Sequence, residues 1–155
     1  MNYRNICHEV AQLARTTGLQ LLKYREKNAL VIETKGHNDF VTQMDKYTEG
    51  LLVEGLDKIL PEAGYIAEEG TRTDNGEEYK WIIDPIDGTT NFIHLMPPFA
   101  ISIALMYKGE IVVGVVYEMG RDELFTAWLG GGAYLNGNPI KVTTAKSIAQ
   151  SLVAT

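Results

Sequence analysis

Three features of the 155-residue sequence predict an α+β fold, two N-terminal helices packed on a largely antiparallel sheet. Two long amphipathic stretches come first. A series of short β-branched runs follows, and glycine-bearing hairpin turns separate those runs. No internal repeat or linker divides the chain.

Across residues 3–27, Ile6, Val10, Leu13, Ala14, Leu21, Leu22 and Tyr24 recur at three- and four-residue spacing without a proline, which is the pattern of a helix with one apolar face. A β-branched stretch at 31–34 and the polar turn 35–39 read as a first strand or hairpin arm. A second helix is expected over 42–60, with apolar positions Tyr47, Leu51, Leu52, Leu56 and Ile59, and with Pro61 as its stop. Strands are then expected at 65–67, 81–84, 100–107, 111–117 and 123–128. Lys108-Gly109-Glu110 and Gly120-Arg121-Asp122 supply turn residues between them, and Asn136-Gly137 is the strongest hairpin signal in the chain. The ending 151–155 reads as the start of another strand, a hint that the chain is a piece of something longer.

With 45% hydrophobic and 22% charged residues, the sequence is neither disordered nor low-complexity, and it is long enough to build a core without disulfides. One cysteine and three scattered histidines exclude an internal disulfide and a Cys/His zinc cluster, so the cytosol is the expected compartment. Twenty acidic against 14 basic residues, a net charge of −6, argue against nucleic-acid or anionic-membrane partners. His8, Glu9, Arg15 and Lys23 interrupt the N-terminus, and no apolar run approaches ~20 residues, so no signal peptide or membrane span is expected.

The stretch Trp81-Ile82-Ile83-Asp84-Pro85-Ile86-Asp87-Gly88-Thr89-Thr90-Asn91-Phe92 carries the most chemistry. A β-branched strand should deliver Asp84 to its end, Pro85 should hold Asp84 extended, and Gly88 permits a sharp turn. Such a turn can aim the two carboxylates and the Ile86 carbonyl at one small volume, where a cation would relieve their repulsion. Thr89 and Thr90 are suited to cap a short helix whose free N–H groups could meet phosphate oxygens. The same residues also read as an Asp-Pro turn with an Asx hydrogen bond and a threonine cap. Glu68-Glu69-Gly70 lies at another strand end and alone reads as a solvated loop. Thr42-x-x-Asp45 scans as a capping box that accounts for Asp45 by itself.

Together these residues resemble the inositol monophosphatase family of magnesium-dependent, lithium-sensitive phosphatases. The likeness rests on Lys35, Asp39-Phe40-Val41-Thr42 with Asp45, Ile66-Ala67-Glu68-Glu69 and the 81–92 motif. It continues through Pro98-Phe99-Ala100-Ile101-Ser102, Gly114-Val115-Val116-Tyr117 and Gly132-Ala133-Tyr134-Leu135-Asn136-Gly137. It spans nearly the whole chain in the family's order. The resemblance implies the first half of a layered αβαβα sugar-phosphatase fold, with residues 1–155 as its metal- and phosphate-binding domain. It implies Mg2+ held by Glu68, Asp84, the Ile86 carbonyl and Asp87, and a phosphate gripped by the N–H groups of Gly88 and Thr89. It further implies an attacking water oriented by Glu68 and by the Thr89 hydroxyl, the latter backed by Asp45. Lys35, Glu69 and Thr90 fall to an outer ring, where a solvated lysine is an equal reading of Lys35. The implied substrate is an inositol or sugar phosphate, with fructose 1,6-bisphosphate as an alternative within the superfamily, and a homodimer is an expectation of the same kind. A non-catalytic interaction protein that keeps the fold is the competing class.

Two departures stand out. Ala67 replaces a common glycine, which is a mild change. More seriously, Trp81 and Trp128 are followed by Ile82 and Leu129, so the Trp-Asp motif of the family's second domain does not occur in this sequence. The alcohol-binding half is therefore expected to be absent from this chain, which should turn over weakly or not at all.

The remaining motifs read as structural. Gly130-Gly131-Gly132 lacks a Walker lysine and is expected to be a turn. His8, His37 and His94 form no ligand set, Cys7 is expected in the core, and Met96-Pro97-Pro98-Phe99 should be a rigid loop at the site's edge.

Overall fold

The computed structural model describes residues 1–27, 32–35, 39–71 and 76–151, with 27, 32–35 and 39–42 by backbone alone. Helix α1 runs Tyr3–Lys27, and strands β1 (Ile32–Lys35) and β2 (Asp39–Thr42) form a separate antiparallel hairpin. Helix α2 runs Gln43–Ile59. Then come β3 (Gly64–Ala67), β4 (Tyr79–Asp87), the short helix α3 (Thr89–His94), β5 (Ala100–Tyr107), β6 (Glu110–Glu118), β7 (Glu123–Trp128), β8 (Gly132–Leu135) and β9 (Asn138–Ile140). These last seven strands form one sheet in sequence order, antiparallel throughout except for the parallel pair β3–β4.

The predicted α+β arrangement is what the chain adopts. Helix α1 lies over β5, β6 and β7, and α2 lies beside it over β4. Strand alternation sends Trp81, Ile83, Ile101, Ile103, Leu105, Val113, Val115 and Tyr117 under the helices, each 2% exposed or less. Val10, Ala14, Leu21, Leu52 and Leu56 meet them from above. The approach of α1 to β6 is close: a Cβ on Gly18 would sit 2.7 Å from the Tyr117 ring. The apolar face of α2 is displaced from the one the sequence suggests. Tyr47 is on the outer side, 49% exposed, while Asp45, Thr48 and Glu49 are buried beside Leu52.

Local turn chemistry sets the hairpins as expected. Lys108-Gly109 and Asn136-Gly137 are two-residue loops with positive φ at both positions, the type that matches strand twist. Gly130 and Gly132 serve the β7–β8 turn. Toward the end, Ile148–Gln150 form a 3-10 turn; the strand expected over 151–155 falls largely on 152–155, which lie outside the described residues. No helix among the described residues is long and apolar enough to cross a membrane.

Candidate active site

The acidic motif folds differently from its simplest reading. Asp84 does not end its strand: β4 continues to Asp87 through a bulge, in which the step from Asp84 to Asp87 answers only the step from Ser102 to Ala100 on β5. The extra residue re-aims the chain as an Asp-Pro turn would, while β4 keeps its place in the sheet. Gly88 then adopts φ 83° and occupies the N-cap of α3, with the Phe92 N–H donating to its carbonyl at 2.9 Å. Glycine is required here twice over, since a Cβ would also sit 3.0 Å from the Pro98 carbonyl oxygen. The expected threonine caps are thus corrected. Thr89 and Thr90 are the first two residues of the helix, and no side chain caps it, because the left-handed turn has already taken that position.

Thr89 is freed for another contact. Its hydroxyl lies 2.9 Å from the Ile86 carbonyl oxygen and 3.5 Å from Asp45 Oδ1. Asp45, 3% exposed in the first turn of α2, therefore reaches across from the helix layer to the end of β4. The Thr42 side chain lies outside the described residues; its backbone closes β2 directly before α2.

Parallel pairing of β3 with β4 brings the second acidic segment alongside. Ala67 pairs with Ile83, and the Glu68 N–H donates to the Ile83 carbonyl at 3.3 Å, so Glu68 follows its strand next to Asp84. Burial, then the charge of Glu68 and a hydrogen bond with its side chain, then the charge of Asp87, push the Asp84 carboxyl up to about 7; a bond from the Ile86 N–H works against them. Asp84 Oδ1 is itself buried without a hydrogen-bond partner. Asp87 and Glu68 are exposed, Glu69 is half-buried, and Thr90 is exposed. Among the described residues, no three His, Cys, Asp or Glu side chains stand close enough to hold a metal ion. The pair Glu68–Asp84 is assembled, with Asp87 at its edge. The Lys35 side chain lies outside the described residues.

Glu49 escapes sequence reasoning. It is 4% exposed and accepts from the Glu69 N–H at 2.7 Å and the Thr71 N–H at 3.1 Å, so α2 holds the loop that carries Glu68. The one signal was its spacing: it stands four residues after Asp45 and shares that helix face. On the other side of the site, buried Glu118 accepts from the N–H groups of Phe99, Gly120 and Arg121. Asn91 Nδ2 donates to the Pro98 carbonyl at 2.8 Å, and Phe92 meets Phe99 edge-on, so the proline loop is fixed against α3 as expected. His94 ends α3 on the surface, away from any ligand set among the described residues. Cys7 is buried as anticipated, and burial pushes its thiol up to about 11.

A model of the inositol monophosphatase family matches residues 4–155. The chain belongs to this family. Among its relatives, an inositol monophosphatase of Dictyostelium discoideum is 42% identical over 146 residues, covering 92% of this chain and 54% of that protein. The Nus factor SuhB of Escherichia coli K12 is 42% identical over 144 residues with the same coverage. The crystal structure of the extragenic suppressor protein suhB from Bartonella henselae superposes with a TM-score of 0.83 at 38% identity, over 90% of this chain and 55% of that one. The chain thus spans about half the length of the curated relatives it matches. The fold is the N-terminal half of the inositol monophosphatase fold.

Proposed function

We propose that this chain is the metal- and phosphate-binding half of a Mg2+-dependent phosphomonoesterase acting on an inositol or sugar phosphate. The observation that supports it most is the Glu68–Asp84 pair: two carboxylates driven together, one of them with a buried oxygen that has no partner. A hard divalent cation suits such oxygen donors and removes both penalties. Glu68, Asp84 and the Ile86 carbonyl would hold one Mg2+, and Asp84 with Asp87 would contribute to a second. When bound, Mg2+ neutralises phosphate charge and lowers the pKa of a coordinated water.

The chain's own residues supply the rest. The N–H groups of Gly88 and Thr89 bind phosphate oxygens at the left-handed turn. Glu68 accepts a proton from the attacking water, and the Thr89 hydroxyl, held between the Ile86 carbonyl and Asp45, accepts from the same water and fixes its line of approach. Glu49 keeps the Glu68 loop in place. The proline loop, tied to α3 through Asn91, walls one side.

Because no Trp-Asp pair is present to add a further metal aspartate, we expect weak turnover or none from these 155 residues. Phosphate release from inositol 1-phosphate tests this: any measurable rate should need Mg2+ and vanish in Glu68→Gln. Hydrolysis that persists in EDTA would overturn the metal assignment, and full Mg2+-dependent turnover would overturn the expectation of weak activity. The 42% identity to the Nus factor SuhB favours a second reading, a non-catalytic interaction protein. That reading predicts a protein partner whose binding is indifferent to Mg2+ and to Asp84→Asn.

A further inference from the structure

Away from the acidic end, a cavity of about 340 Å³ opens between α1 and strands β7 and β8. It arises because the residues that face one another there are small: Cys7 and Ala11 on the helix, Thr126 on the strand. Its volume is at the lower end for small-molecule sites, ~300–1,000 Å³. None of the residues assigned above to metal or phosphate lines it.

One wall is aromatic and fixed. The Trp128 and Tyr134 rings are stacked at 5.0 Å and 3°. The Tyr134 hydroxyl donates to the Gly131 carbonyl at 2.9 Å, and Gly131 lies so close to the indole that a Cβ there would fall 1.9 Å from it. Such a wall loses little freedom when a flat ligand packs against it. The mouth carries positive charge from α1. Arg15 bonds Asp122 at 2.6 Å, whereas Arg4, exposed about three turns earlier on the same face of α1, has no ion pair among the described residues. At the floor, the Cys7 thiol stays protonated at neutral pH and adds no competing anion.

We infer that this cavity between α1 and β7–β8 is a binding site for a small planar aromatic carboxylate, its ring packed on the Trp128–Tyr134 wall and its carboxylate on Arg4. Guanidinium and carboxylate make charge-assisted hydrogen bonds, and a flat apolar body matches a rigid aromatic wall better than a flexible or polar one. The site is independent of the phosphatase reading.

The test is a titration of the chain with 2-naphthoate, followed by amide and indole N–H shifts in NMR. The expected result is saturable binding that shifts the Trp128 indole and the amides of residues 4–15. Binding should be lost in Ala11→Leu, which fills the cavity, and weakened about fivefold in the surface variant Arg4→Gln, the scale of an exposed ion pair. Neutral 2-naphthalenemethanol should bind about as weakly as 2-naphthoate does to Arg4→Gln. No saturation at millimolar ligand, equal binding of the acid and the alcohol, or shifts confined to Met106, Val116 and Phe125 on the opposite sheet face would each overturn the inference. Should Ala11→Leu fail to fold, the Arg4→Gln and alcohol comparisons decide it.

Discussion

The two faces of the seven-stranded sheet are built from alternate residues of the same strands, yet they have different tasks. Under the helices, Ile83, Ile103, Leu105 and Val113 are almost fully buried. Their neighbours Ile82, Ala104, Met106 and Gly114 are half-buried, and Val116 is 37% exposed. Asp84 belongs to this second series, one step from core residue Ile83 and opposite Ser102. A carboxylate among Trp81, Ile83 and Leu105 would be intolerable, while one residue along, the same strand can present it. Stability is thus concentrated on the helix-covered face, while β4 presents Asp84 from the other.

The sharpest contrast should come from truncating the two faces. Leu105→Ala should cost about 2–5 kcal/mol in urea unfolding, through lost burial and a residual cavity. Val116→Ala should stay within about 1 kcal/mol. Comparable losses at both positions would show that the second face is packed in the isolated chain.

Adding a methyl group should reverse the test at smaller scale. Gly18→Ala drives a Cβ toward the Tyr117 ring and should cost ~1–3 kcal/mol. Gly114→Ala meets nothing within 4 Å, and its backbone is not left-handed, so it should be neutral or stabilising by up to ~1 kcal/mol.

The second face should also show itself in the pH dependence. The Asp84 carboxyl is pushed from 3.8 up to about 7 in the native state, so the folded chain holds a proton that the unfolded chain releases. Its contribution to stability is present below pH 3.8 and is lost as pH rises through about 7. In EDTA, the urea midpoint should fall across that window, and Asp84→Asn should flatten the fall. An unchanged profile in the variant would remove Asp84 as its source.

What the sequence discloses and what it conceals follow from the range of the interactions. The face of α1 and the Lys108-Gly109 and Asn136-Gly137 hairpins are set by neighbours a few residues away, so spacing and turn chemistry were enough to read them. The family resemblance points to Glu68 through the 66–69 segment and to Asp84, Asp87 and Thr89 through the 81–92 motif. Three things depended on distant contacts. The parallel partnership of β3 and β4 places Glu68 beside Asp84, and no local pattern encodes it. The bulge at 84–87 and the left-handed Gly88 displaced the expected strand end and threonine caps, because the chain turns through the strand's own irregularity. Glu49 looks like any helical glutamate until its carboxylate is seen holding two backbone N–H groups of a loop 20 residues away. Tyr47 errs in the opposite direction, since the helix rotates to bury Asp45 and Glu49.

The most direct test of the central claim, that the Glu68–Asp84 pair is made to share a cation, is calorimetric titration of the chain with Mg2+ at neutral pH. Saturable binding is expected in the wild-type chain, abolished by Asp84→Asn and unaffected by Val116→Ala on the same face. Absence of Mg2+ binding, or binding that survives Asp84→Asn unchanged, would contradict it.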